Sequence, residues 1–355
     1  MVLHQNSDFL FLFEAVMTNP NGDPDQENKP RMDYETNTAL VSDARRKRDI
    51  RDFLKRKGFP IFVDTLNDKK VPMDKMFEHV RDQWLEDEER FAGLLRENPE
   101  FEKHWIKFVG EEKGNYKEQY QNALEKMNKK KDAAKKSEWV DFNNEFLTLL
   151  VQKTLIDIRL FGSAMAVEGV TRTFTGPVQM TWGYSLHPVE LVKSNTITSI
   201  MNDDASTFGK KHKLYYGLFA HYGTMNKFAA RLTGMTTEDR EIFRKALVQG
   251  MMSNQTDSKQ GQTPILYLEI IYNENFDGYL GDLRRFLQVT YKETHPIRSF
   301  SDVTIDFAKL SSVIQEIKQR GYVEQVVGWV HPFTQVQGLQ SLPEFTALDL
   351  WTPLI

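Results

Sequence analysis

Residues 18–53 read TNPNGDPDQENKPRMDYETNTALVSDARRKRDIRDF, and this stretch decides the fold. Upstream of it the apolar run Phe9, Leu10, Phe11, Leu12 and Phe13 predicts a buried first strand over 8–17. That strand ends in a polar loop of turn formers: Asn19, Pro20, Asn21, Gly22, Asp23, Pro24 and Asp25. Pro30 and Arg31 follow, and after Ser42 and Asp43 the chain turns basic, with Lys or Arg at 45, 46, 47, 48, 51, 55, 56 and 57. Strand, long loop and basic helix in that order set polar groups beside a positive helix start. This suits an extended polyanion better than a small substrate.

A helical wheel over 42–57 sharpens the point. Ile50, Phe53 and Leu54 share one face, as a core-facing amphipathic helix requires. Arg45, Arg48, Lys55 and Arg56 point the other way, with Asp52 among them. Arg46 and Lys47 fall near the apolar edge, where a charge is costly unless an anion or a paired carboxylate meets it. Ser42 is an N-cap candidate, so the first turn offers backbone N–H groups to phosphate. An ordinary charge run is a solvated face. Here the loop before it and the off-face Arg46 and Lys47 point instead to phosphate binding.

The rest of the chain bounds the answer. With 355 residues, 40% of them hydrophobic, it can bury a substantial core in one elaborated domain or two smaller ones. A formal charge of −4 excludes a protein that is basic all over, so only a local positive groove is compatible with nucleic acid. No cysteine is present, which suits a reducing compartment and excludes thiolate chemistry. No basic and apolar leader opens the chain and no run of about 18 apolar residues occurs, so a soluble cytoplasmic protein is expected.

Further elements follow from periodicity. Residues 42–57 predict the first helix and 60–66 a short strand. From 68 to 142 the composition becomes charged and helical in spacing, with Met76, Val80, Trp84 and Leu85, then Tyr116, Tyr120, Leu124 and Met127, which reads as a helical insertion. Six lysines between Lys126 and Lys136 read as a solvated helix face. Residues 147–161 resume the core. Strands are expected over 174–184, 264–272 and 325–330, and helices over 237–252 and 303–320. Strands interrupted by helices indicate an α+β fold.

Several stretches then resemble a known family. They are Asn19 to Asp25 (NPNGDPD), Asn28 to Asp33 (NKPRMD), Leu40 to Asp43 (LVSD) and Arg46 to Arg51 (RKRDIR). Downstream, in order, come Asp157 to Gly162 (DIRLFG), Phe174 to Gln179 (FTGPVQ), Lys213 to Phe219 (KLYYGLF) and Thr233 to Asp239 (TGMTTED). Together they are similar to the CRISPR-associated backbone (RAMP) subunit of type I Cascade complexes, in its I-B and I-C branches. They span most of the chain except about 68–142.

The resemblance implies a ferredoxin-like, RRM-like palm with a helical finger insertion and a thumb hairpin. The implied division is 1–67 first part of the palm, 68–142 fingers, 143–191 palm, 192–213 thumb and 214–355 palm and helical remainder. It implies a guide-RNA-binding subunit that does not cut, polymerises head to tail along the spacer of a CRISPR RNA and presents it to target DNA. Implied partners are further copies of itself, a subunit capping the RNA handle, a large subunit and a recruited helicase-nuclease; no membrane and no cofactor are implied. Asn21, Arg31, Arg45, Arg46, Lys47, Arg48, Arg51, Arg159, Phe161, Gly162, Ser163, Gln179, Lys210 and Lys211 are the candidate RNA contacts. Ile200, Met201 and Phe208 are candidates for a wedge that unstacks a nucleotide, as apolar side chains do between bases. The alternative for these three is that they tuck back onto the core.

Catalytic and metal signals are weak. The eight histidines show no HxxxH or HxH spacing, and no Gly-rich phosphate loop occurs. Asp23, Asp25 and Asp33 are close enough in sequence to hold a divalent ion or act as a base for RNA cleavage, as related type III backbone subunits do in a comparable loop. Asp-Pro and Asn-Gly pairs are turn formers first, and no catalytic residue or metal site is assigned.

Overall fold

The computed structural model describes residues 1–66, 69–111, 114–129, 132–167, 170–198, 208–334 and 338–354. Its centre is a nine-stranded sheet. The strands are β1 (Ser7–Thr18), β2 (Met32–Asp33), β3 (Thr38–Val41), β4 (Val178–Met180), β5 (Gly183–Ser185), β6 (Leu214–Met225), β7 (Gln262–Tyr272), β8 (Val323–Val330) and β9 (Thr346–Ala347). Their order is β9-β8-β7-β1-β6-β5-β3-β2, with β4 also paired to β6. Neighbours run antiparallel except β8 and β9, which makes the sheet mixed.

The helices of the described residues are α1 (Asp43–Arg56), α2 (Met73–Glu86), α3 (Glu88–Glu97), α4 (Pro99–Phe108), α5 (Tyr116–Lys129), α6 (Ala133–Lys153), α7 (Ile156–Phe161), α8 (Lys227–Thr233), α9 (Thr237–Ser253) and α10 (Ala308–Gln319). None is long and apolar enough to cross a membrane.

Strand β1 explains the unbroken apolar run. Phe11 lies opposite His221 of β6 on one side and Tyr267 of β7 on the other, so β1 is central. Phe9, Phe11 and Phe13 pack with Ile50, Phe53 and Leu54 of α1 and Phe243, Ala246 and Leu247 of α9. Leu10 and Leu12, on the opposite face, pack with Leu283, Ile305, Leu310 and Ile314. A strand covered on both faces has no polar alternation to show. Each phenylalanine so buried contributes about 1.5–3 kcal/mol.

The helical insertion has a core of its own. Phe91 and Trp105 meet edge to face at 4.6 Å, and Phe101 stacks on Phe142 at 5.7 Å. Helix α6 runs unbroken through Phe142, the expected end of the insertion, and Phe146, Leu147, Leu150 and Val151 join this core rather than that of the sheet. The stripe from Trp139 to Val151 keeps helical spacing with no Pro or Gly to stop it.

Three other elements depart from expectation. Val303–Asp306 is a strand paired with Gln288–Tyr291, because β-branched Val303 and Ile305 alternate inward; the helix starts only at Ala308. The strand expected over 174–184 is three pieces, Val170–Thr175, β4 and β5, interrupted at Gly176-Pro177 and at Thr181-Trp182. Within 60–66 only Thr65–Leu66 is strand, since the N–H groups of Phe62 and Val63 donate to the Asp157 carboxylate. The expected hairpin has its two arms, Thr196–Thr198 and Phe208–Lys210, with Thr196 opposite Lys210. Ile200 and Met201 lie outside the described residues, and Phe208 is described in its backbone only.

Candidate nucleic-acid interface

Ser42 caps α1, its Oγ accepting from Arg45 N at 3.3 Å. Asn21 Oδ1 in turn accepts from both Ser42 N and Ser42 Oγ at 2.8 Å. Arg31 N donates to Asn21 O at 2.9 Å, and its guanidinium stands 3.6 Å from Asp23 and 5.6 Å from the Trp182 ring centroid. The loop is thus docked on the start of the basic helix. Asn21 acts here by positioning, because its side-chain oxygen is already taken. Asp23 and Asp33 serve as turn acceptors, for Asp25 N and for Glu35 N with Thr36 Oγ1.

The basic run divides by depth. Arg46 is 1% exposed, pairs with Asp49 at 3.2 Å, donates to Gln262 Oε1 at 3.1 Å and lies 5.0 Å over Phe13. The expectation of a direct phosphate contact is therefore corrected: β7 closes over this side of α1 and supplies Gln262. Burial lowers its pKa to about 10, so it stays charged at neutral pH. Arg51 pairs with buried Asp157 at 3.1 Å and lies over Phe161, which makes it mainly a structural tie. Arg45 pairs with Asp49, Lys47 with Asp43 at 2.9 Å, and Arg48 with Asp52; these three keep part of their surface open.

The segment Asp157 to Gly162 is also internal. Arg159 grips Asp239 with two hydrogen bonds, 2.9 and 2.7 Å, at the N-terminus of α9. Phe161 is buried under Lys47 and Arg51. Gly162 has φ +71, and a Cβ there would lie 2.1 Å from Phe174 O, where the chain crosses Gly176. Arg159, Phe161 and Gly162 thus make contacts internal to the fold, which their reading as RNA contacts did not foresee. Ser163, half-buried opposite Phe174, and exposed Gln179, whose Nε2 donates to Gly176 O at 2.7 Å, stand at the rim of this crossing.

The base of the hairpin meets the same loop. Lys210 pairs with Glu27 at 3.2 Å, and Lys211 and Lys213 pair with Asp257 at 3.0 and 3.7 Å. The hydrogen bond from Lys210 holds the Glu27 carboxyl below its usual range, and that from Lys211 does the same for Asp257. A cleft of about 290 Å³ opens between Asn19, Asn28, these lysines and Ser258.

Sequence reasoning missed Lys259 and Trp182. Lys259 Nζ donates to Asn19 O at 2.6 Å and Pro20 O at 3.2 Å, and burial with Arg45 and Arg46 nearby lowers its pKa to about 7. An isolated lysine in a Ser- and Gln-rich turn carries no periodic signal, and neither does a lone tryptophan. Below pH 7 both folded and unfolded chains hold this proton. Between about 7 and the ordinary 10.5 only the unfolded chain does, so stability rises with pH through this window. The rise is at most about 1.4 kcal/mol per pH unit, and Lys259→Met removes it. Urea unfolding of both proteins at about pH 6 and about pH 9 reads the difference.

Comparisons with known proteins give the family and the fold. Residues 5–308 match the family described as CRISPR-associated protein Cas7. A protein of Haloferax volcanii named CRISPR-associated protein Cas7 is 24% identical over 352 residues, covering 92% of this chain and 88% of its own. In fold, the chain is similar to one from a CRISPR RNA-guided surveillance complex in a pre-nicking state. The TM-score is 0.51 at 14% identity, over 97% of this chain and 96% of that one. The match to the family profile runs from the first strand past β7 and covers well over half of the sequence, so this chain belongs to the CRISPR-associated protein Cas7 family.

Proposed function

We propose that this chain is the backbone subunit of a type I Cascade complex, of the I-B or I-C branch, which binds the spacer of a CRISPR RNA and presents it to target DNA. The observation that carries this reading is contiguity. The Glu27–Lys210 pair, the Asn21–Ser42 cap and the Lys259 clasp join three distant segments into one basic face. Arg31, Arg45, Lys47, Arg48, Lys210 and Lys211 hold guide phosphates there, with Ser163 and Gln179 at the edge. Arg46 and Arg51 support them from below.

In this reading the sheet with α1 and α9 is an RRM-like palm, the α2–α6 insertion the fingers and the 192–213 hairpin the thumb. Ile200, Met201 and Phe208 part guide nucleotides. Copies stack head to tail along the RNA, a heterologous contact that does not close. A handle-capping subunit, a large subunit and a helicase-nuclease complete the assembly in the cytoplasm. The subunit binds and does not cut; sequence specificity is left to base pairing.

Salt dependence tests the assignment. Affinity for a labelled CRISPR RNA falls with salt, and the log–log slope shrinks by about 0.7 for each lost phosphate contact. Lys210→Ala with Lys211→Ala therefore lowers the slope by about 1.4 while leaving the melting temperature unchanged. An unaltered slope removes both lysines from the interface, and a wild-type chain that ignores RNA removes the function.

A further inference from the structure

We infer that Trp182 is a stacking platform for one nucleobase of the bound RNA, set beside the phosphate-holding start of α1; the inference rests on the RNA-binding reading above. Four observations converge on it. Gly183 pairs with Val41 and Tyr184 with Leu40 in antiparallel register, so one step further Trp182 stands alongside Ser42, the cap of α1. Trp182 is 47% exposed even though the Arg31 guanidinium lies over its ring. That guanidinium is only partly engaged: its buried Nε has no partner among the described residues, and its ion pair with Asp23 is long, at 3.6 Å.

The fourth observation is how the indole is held. Buried His221 Nδ1 donates to Thr181 O at 3.1 Å, and Arg284 Nη1, 8% exposed, donates to Trp182 O at 2.8 Å. Thr181 N donates to Tyr222 O at 2.9 Å. Gly183 lies so close to the His221 ring that a Cβ would sit 2.7 Å from it. Buried groups therefore pin the backbone on both sides of an aromatic ring that itself stays on the surface. An exposed ring on a pinned backbone, with a cation over it and a helix N-terminus beside it, matches what a single-stranded nucleotide needs. Its base stacks on the aromatic, and its phosphate meets Arg31 and the helix start.

The test compares a short oligouridylate with an abasic oligomer of the same length and charge. Trp182→Ala is expected to weaken oligouridylate binding by about 5- to 100-fold, with Trp182→Phe keeping most of it and abasic binding unchanged. Because the indole is exposed, both variants are expected to fold normally, which melting curves check. Equal losses on both oligomers would mean that Trp182 only props Arg31, and would overturn the stacking role. Unchanged oligouridylate binding in Trp182→Ala would overturn it too. Wild-type protein that binds neither oligomer would instead sink the RNA-binding reading, and the platform with it.

Discussion

Arg46→Ala lowers the stability of this chain by about 3–5 kcal/mol, the range for breaking a buried ion pair from one side. The side chain is 1% exposed and fills the space between α1, Phe13 of β1 and Gln262 of β7. Its loss leaves Gln262 Oε1 without its donor and a void beside an aromatic ring. Asp49 keeps Arg45 as a partner, which limits the damage on that side. Arg48→Ala is the contrast: its pair with Asp52 is about one-third exposed, so the expected loss is below about 1 kcal/mol. Urea unfolding of the two variants at neutral pH separates them, and equal losses would place Arg46 on the surface. Arg46→Glu sets a second carboxylate beside Asp49 and is expected to unfold the protein. It therefore cannot serve as a test of RNA binding.

Asp157→Ala is expected to cost a similar 3–5 kcal/mol, for a different reason. This carboxylate has no exposed surface and accepts from Arg51 Nε at 3.1 Å, Phe62 N at 2.9 Å and Val63 N at 3.1 Å. Without it a largely buried guanidinium and two backbone N–H groups lose their acceptor together. The three donors belong to α1 and to the segment leading into the insertion, so the damage is directional. Hydrogen exchange is expected to accelerate first at Phe62 and Val63 and in the insertion helices that pack on Phe62. Asp157→Asn, which retains one acceptor oxygen, falls between the two. Uniform acceleration across the central sheet would show that Asp157 does not tie the insertion to α1.

These two residues also mark how far a linear reading reaches. Arg46 and Lys47 look alike in the sequence, both near the apolar edge of the helix. Their fates part because β7, more than 200 positions away, closes over one and leaves the other partly exposed. Asp157, Arg159 and Gly162 stand out as a motif, but a motif does not say whether it faces a ligand or the core. Their partners, Arg51, Asp239 and the crossing at Gly176, come from other parts of the chain. The same limit hid Lys259 and Trp182, whose importance rests on what the fold brings beside them.

What the sequence determined by itself was local or periodic. The first strand, the Ser42-capped basic helix, the helical character of the insertion and the arms of the hairpin follow from apolar spacing, capping and turn chemistry, which act between near neighbours. Only the tertiary structure decided which cations are buried struts and which remain open. It also decided where the insertion's core ends and which lone residues lie beside the loop and the basic helix. The cost of a buried charge depends on whatever packs against it, and those groups are set by sheet pairing across the whole chain.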